Sequence, residues 1–228
     1  MIGLIGAMEA ETAAIRQEMT EKTEETVSGI LFTQGLWQGK AVVVATCGIG
    51  KVFAALCAQT MILNYKPDCI INCGVAGGLN PEDRVLDVVL AQDVVQHDMD
   101  TSPIGDPKGL LSGINKIYLP ADEKLTAALK TAAEKLALPV RVGRIASGDQ
   151  FIADDAKKEA IRKTFAADCC EMEGASIGQV CYINRVPFGV LRTLSDGAGG
   201  DAKMDYPTFA AKAAAQSIDI LRAFILEK

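Results

Sequence analysis

The chain has 228 residues, 49% of them apolar and 23% charged, which suits one packed core without a disulfide or metal staple and excludes a disordered chain. Its 23 basic and 29 acidic residues leave a net charge of −6, so it lacks the basic excess that tracks phosphate backbones, and nucleic acid is not expected as a partner. No basic amphipathic stretch prepares it for a membrane surface.

The opening MIGLIGAMEAE has neither the basic flank nor the long apolar core of a secretion signal, and apolar runs elsewhere are cut by charge too soon to span a bilayer. The seven cysteines are an odd number, with Cys69 and Cys73 inside an apolar run and Cys169–Cys170 adjacent rather than C-x-x-C. They read as reduced core thiols, and a single histidine, His97, leaves no basis for a His-based metal site. A cytosolic, metal-free protein is expected.

In chain order, Met1–Gly6 is a short apolar run ending in glycine, and a helical pattern follows from Glu9 to Met19. Thr26–Trp37 and Ala41–Thr46 read as strands joined by a Gln-Gly-Lys turn. After Gly50, residues Val52, Phe53, Leu56, Cys57 and Leu63 follow helical spacing. Cys69–Cys73 reads as a buried strand and Val85–Gln96 as another. Asp98–Gly113 is rich in Pro, Gly and Asp and reads as a long loop of the functional or interfacial kind. Helices are expected over Ala121–Lys135, Lys157–Phe165 and from Glu173 to Ile183, and strands over Val140–Ala146, Ala167–Cys170 and Val186–Leu194. Asp205 and Pro207 open a last helix that runs to Leu226. With no repeat or linker, residues 1–228 are expected to form a single α/β domain, a mixed central β-sheet flanked by helices on both faces.

Ligands of such folds collect at the carboxyl ends of strands. Four strand ends stand out: Gly6-Ala7-Met8-Glu9-Ala10-Glu11, Gly74-Val75-Ala76-Gly77-Gly78, Glu171-Met172-Glu173-Gly174 and Ser195-Asp196-Gly197. Three of them carry carboxylates, which repel one another at a common mouth unless acid–base work or hydroxyl binding needs them there. Gly48-Ile49-Gly50-Lys51 is only a fragment of a phosphate loop, because Val52 stands where Ser or Thr belongs. Each acid has a plainer role open to it: Glu9 and Glu11 meet a helix dipole, and Asp196 sits among turn residues. Arg192 lies within an apolar strand and needs a carboxylate partner. His97 reads as a structural histidine.

Taken together, the blocks Gly6-Ala7-Met8-Glu9-x-Glu11, Gly48-Ile49-Gly50-Lys51, Ser147-Gly148-Asp149-Gln150-Phe151, Glu171-Met172-Glu173-Gly174-Ala175 and Ser195-Asp196 closely resemble, in order and spacing, the bacterial 5'-methylthioadenosine/S-adenosylhomocysteine nucleosidases of the nucleoside phosphorylase superfamily. The resemblance covers essentially the whole chain. It implies a cofactor-free, cytosolic homodimer of methionine salvage that hydrolyses the N-glycosidic bond of 5'-thioadenosines. Glu11 then matches the base that activates water, and Asp196 the acid that protonates adenine N7. Met172 and Glu173 match the ribose-binding pair, Phe151 the adenine stack, the Ile152 backbone the adenine edge, and Gly77 the glycine-rich substrate loop. Arg192 matches a residue near the water and Glu173. Met8, Ile49 and Tyr206 match the alkylthio pocket, which Thr101 and Ile104 of a neighbouring subunit would close.

Two departures touch the expected site. Val75 stands where many relatives carry a hydroxyl that helps to hold the water, and Asp98–Gly113 differs in length from some of them. The second leaves the preferred 5'-substituent open, with 5'-deoxyadenosine and aminodeoxyfutalosine as further substrates. A phosphorylase of the same superfamily is the main rival, although Glu9 and Glu11 would repel its phosphate nucleophile. A non-catalytic sensor of adenosyl ligands is the other, and it would need neither an acid nor a water-activating base.

Overall fold

Ten strands and six helices are laid out in a computed structural model that describes residues 1–196 and 206–227. In chain order they are β1 (Ile2–Gly6), α1 (Glu9–Glu18), β2 (Thr20–Val27), β3 (Ile30–Trp37), β4 (Lys40–Thr46), α2 (Lys51–Tyr65), β5 (Cys69–Gly78) and β6 (Val88–Gln96). They continue with β7 (Leu119–Pro120), α3 (Glu123–Lys135), β8 (Val140–Ser147), α4 (Asp155–Phe165), β9 (Cys169–Glu171), α5 (Gly174–Asn184), β10 (Phe188–Asp196) and α6 (Tyr206–Leu226). Between β6 and β7 the expected long loop holds a single 3-10 turn at Ser102–Ile104.

Side chains along β1 and β4 alternate between two cores, as the two-residue strand period requires. Leu4, Val42 and Val44 point to one, where α1, α3 and α6 contribute Ile15, Leu129 and Leu221. Ile5, Val43 and Ala45 point to the other, where α2 and α5 contribute Ala58, Met61, Ile177 and Cys181. This is the mixed sheet with helices on both faces that the sequence predicts. A third, smaller core under α4 joins Ile161 and Phe165 to Leu79, Val95 and Ile152.

The pairing also does something that element order does not reveal. β5 lies between β1 and β10, both parallel to it, and its last residues Gly77 and Gly78 pair with β9. β9 pairs with β8, β8 with β6, and β6 returns to β10, so five of the strands close on themselves. The closure brings the carboxyl ends of β1, β5, β9 and β10 to one mouth.

One expectation needs correction. Thr26–Trp37 is not one strand: Ser28 and Gly29, both at positive φ, turn the chain between β2 and β3. Most of β2 gives no sequence signal, because Thr20–Thr26 is exposed throughout and has no apolar alternation to detect. The apolar spacing of α2 does not mark its buried face, for Ala54, Cys57, Ala58 and Met61 point inward while Val52, Phe53, Leu56 and Leu63 face outward. Asp205 lies outside the described residues. Among those described, no helix is long and apolar enough to cross a membrane.

Candidate active site

β1 ends at Gly6, and α1 starts so soon afterwards that Glu11 folds back over the junction. Its Oε2 accepts from the amides of Ala7 at 2.7 Å and Met8 at 3.0 Å, and its Oε1 accepts from the Val75 amide at 3.1 Å. Burial pushes the Glu11 carboxyl up, against the pull of Arg192 and these three amides. Glu9, by contrast, is exposed and pairs with Arg16. Val75 has no hydroxyl to give to a water, yet its amide holds the candidate base.

Gly74 shows how close this packing is. A Cβ there would lie 2.9 Å from Glu11 Cδ and 3.2 Å from Arg192 Nη1. Arg192 of β10 is fully buried and donates to Asn72 Oδ1 at 2.5 Å and to Glu171 Oε2; Glu173 Oε2 lies farther off, at 3.8 Å. The expected carboxylate partner of Arg192 is thus present, but it is chiefly Glu171. Glu171 also accepts from Ser147 and from the amides of Glu173 and Gly174, at 2.9 and 2.8 Å. Burial alone would raise Glu171, but the Arg192 guanidinium and these donors hold it below the usual carboxylate range.

Glu173 lies at the start of α5, its Oε1 accepting from the Gly50 amide at 2.8 Å. Burial, reinforced by the charge of Glu171, pushes it up to about 7. The Gly48–Lys51 segment therefore spends its donors on the protein's own acids. The Lys51 amide meets Asp149 Oδ1 at 2.8 Å, and its ammonium meets Asp98 Oδ1 at 2.6 Å. Asp98 also accepts from the Asp149 amide, which ties the Ser147–Phe151 turn to the head of α2. His97 packs against Gly148 beneath this turn, and burial lowers its pKa.

Asp196 closes β10 beside Gly77, with its Oδ1 at 3.3 Å from Ser195 Oγ and its Oδ2 at 2.8 Å from Lys158 Nζ. The sequence reading puts Glu171 at the mouth without a role of its own and leaves Lys158 out. A buried Arg192 demanding a carboxylate pointed toward the first. For the second, the spacing of Lys158, Ile161 and Phe165 on α4 was the available signal, since all three share the helix's buried side.

These groups surround one cavity. Met8, Glu11, Ile49, Gly77, Phe151, Ile152, Met172, Glu173 and Asp196 all line it, together with Val75, Gln150, Glu171 and Ser195. Among the described residues that line it, four are carboxylates, Glu11, Glu171, Glu173 and Asp196, and none is Lys or Arg. Arg192 stands behind that wall. Phe151 and Ile49 are exposed at the rim, 63% and 55% accessible, as ring and alkyl surfaces open to a flat, partly apolar ligand. Thr101 and Ile104 lie away from this cavity, on the loop around the 3-10 turn, where Ile104 is exposed. The side chain of Tyr206 lies outside the described residues.

A family model described as the phosphorylase superfamily matches residues 1–226. A 5'-methylthioadenosine/S-adenosylhomocysteine nucleosidase of Shewanella sp. (strain W3-18-1) is 40% identical over 213 residues, 93% of this chain and 92% of the relative. The futalosine hydrolase of Helicobacter pylori superposes with a TM-score of 0.93 at 35% identity, covering 100% of this chain and 97% of that one. A mutant nucleosidase of the same organism, solved with 5'-methylthioadenosine in its active site, gives 0.94 at 34% identity, covering 100% and 98%.

Proposed function

The chain belongs to the phosphorylase superfamily, and from that premise we propose that it hydrolyses the N-glycosidic bond of 5'-methylthioadenosine and S-adenosylhomocysteine, releasing adenine and a 5-substituted ribose. The observation that carries the reading is the cavity wall, which among the described residues presents four carboxylates and no cation to the ligand. A phosphorylase must hold an anionic nucleophile, and this wall repels one. The amides of Gly50 and Lys51, which a phosphate could use, already serve Glu173 and Asp149.

In this mechanism Asp196 gives a proton to adenine N7, so that the base leaves neutral rather than as an anion. The ribose gains oxocarbenium character as C1'–N9 opens, and the carboxylate of Glu173 stabilises that charge and accepts from the ribose hydroxyls. Glu11 takes a proton from the attacking water. Its raised pKa suits that task better than that of an exposed carboxylate. Phe151 stacks on adenine, the Ile152 backbone meets the adenine edge, Met172 packs on the ribose, and Gly77 lets the purine approach β5. Arg192 anchors the acid cluster from behind, while Met8, Ile49 and Tyr206 receive the 5'-substituent. The same contacts serve 5'-deoxyadenosine, and the likeness to futalosine hydrolase favours aminodeoxyfutalosine as a second nucleoside.

A cytosolic homodimer completes the reading. All seven cysteines are buried, in keeping with a reducing compartment. The outward face of α2 exposes Val52 at 78% and Leu63 at 62%, beside Phe53 and Leu56, an apolar patch of the kind that marks an interface. Such a dimer would bring Thr101 and Ile104 of one subunit to the pocket of the other. Light scattering tests it: a monomer with full activity removes the homodimer.

The decisive experiment follows adenine release from 5'-methylthioadenosine in phosphate-free buffer and in added phosphate. Equal rates with free methylthioribose are expected. Release only with phosphate would make the enzyme a phosphorylase, and binding without release would make it a sensor.

A further inference from the structure

Asp196 is flanked from behind by a lysine that the cavity does not expose. Lys158 Nζ donates to Asp196 Oδ2 at 2.8 Å, with the two side chains only 8% and 13% accessible. Lys158 does not line the cavity, whereas Asp196 does. An ammonium buried on an apolar helix face beside Ile161 and Phe165 is costly unless it has a carboxylate to meet.

We propose that Lys158 is a positioning residue for leaving-group protonation, which holds Asp196 by Oδ2 so that Oδ1 stays in register with the purine. The inference rests on the nucleosidase reading. With Oδ2 engaged by the ammonium and Oδ1, among the described residues, held only by the long contact from Ser195, Oδ1 is the oxygen available to a purine.

The proton that Asp196 delivers sits on Oδ1, the oxygen turned to the purine, and is taken from solvent before the nucleoside closes the site. Asp196 gives it to N7 while the C1'–N9 electron pair moves into the purine, which leaves neutral. Glu11 returns to solvent the proton it took from water, so one proton is taken up and one released.

The test compares wild type, Lys158→Met, Asp196→Asn and the double variant on two substrates. One is 5'-methylthioadenosine; the other is a nitrophenyl glycoside of 5-methylthioribose, whose phenolate departs without protonation. Lys158→Met keeps the apolar stem and is expected to lower kcat on the nucleoside by about 10²-fold, at the low end of what a positioned acid contributes. The glycoside rate should stay within about twofold, a split that a fold defect would not produce. In the Asp196→Asn background, the lysine substitution should cost less than about threefold. An equal loss on both substrates, an undiminished loss in the Asn background, or a Lys158→Met enzyme as fast as wild type would each overturn the assignment. If wild type itself releases no adenine, it is the nucleosidase reading that fails, and this result is separable from the others.

Discussion

Arg192, behind the cavity wall, meets Glu171, which lines it, with side chains 1% and 2% accessible, a guanidinium and a carboxylate both buried. The pair organises the site rather than taking part in its chemistry. Glu171 uses the same oxygen to receive the amides that open α5, so the charge that neutralises Arg192 also places Glu173. Arg192→Met would leave Glu171 buried without its counter-charge, which typically costs about 3–5 kcal/mol. Urea unfolding of the variant should show a loss in that range. A loss below about 1 kcal/mol would mean that Glu171 is neutralised by other means.

Glu11 carries the next prediction because its burial serves reactivity and opposes stability. Glu11→Gln preserves the shape of the side chain and removes a charge that burial disfavours. The variant sets an NH2 against either the Val75 amide or those of Ala7 and Met8, so it should melt somewhat lower than wild type yet still fold and bind 5'-methylthioadenosine by calorimetry, and lose turnover by about 10²–10⁴-fold, the usual worth of a positioned base. Unchanged turnover would remove Glu11 as the base.

How much of this was readable from sequence depends on whether the signal was local. The strand ends that carry Glu11, Glu173 and Asp196 could be read because each apolar run stops at a glycine or an acid, and parallel strands gather such ends at one mouth. The closure of β5, β9, β8, β6 and β10 could not, since those pairings join residues far apart in the chain and leave no periodic trace. β2 is illegible because its sequence lacks alternation, and the helix of α2 is legible while its buried face is not, because apolar spacing does not say which side is covered. Lys158 is one of several charges in a charged helix, and charge alone does not single it out. Only its spacing with Ile161 and Phe165 placed it inside.

Acid titration of stability should expose Glu173. Its carboxyl rises from an ordinary 4.5 to about 7 in the fold, so between those values the folded chain binds a proton that the unfolded chain has released. This contribution to stability is fully present below about pH 4.5 and is lost as pH rises through 7. The melting temperature of wild type should therefore fall from pH 5.5 to 8 more steeply than that of Glu173→Gln, which has no proton to lose there. Parallel curves for the two proteins would show that Glu173 is not the group responsible.

The space at Gly74 gives a prediction that separates position from charge. The nearest atoms to a Cβ at this position belong to the Glu11 carboxyl group and Arg192 Nη1, so Gly74→Ala alters no titratable group yet must displace the base or the guanidinium. Overpacking of this kind typically costs about 1–3 kcal/mol. The displacement should matter more to catalysis, because a base moved by a fraction of an ångström loses its alignment with the water. Gly74→Ala is expected to lower kcat at least tenfold while KM for 5'-methylthioadenosine changes little, the adenine contacts at Phe151 and Ile152 being remote from the new methyl. A rise in KM at constant kcat would place the disturbance in nucleoside binding instead and detach Gly74 from the water-activating end of the site.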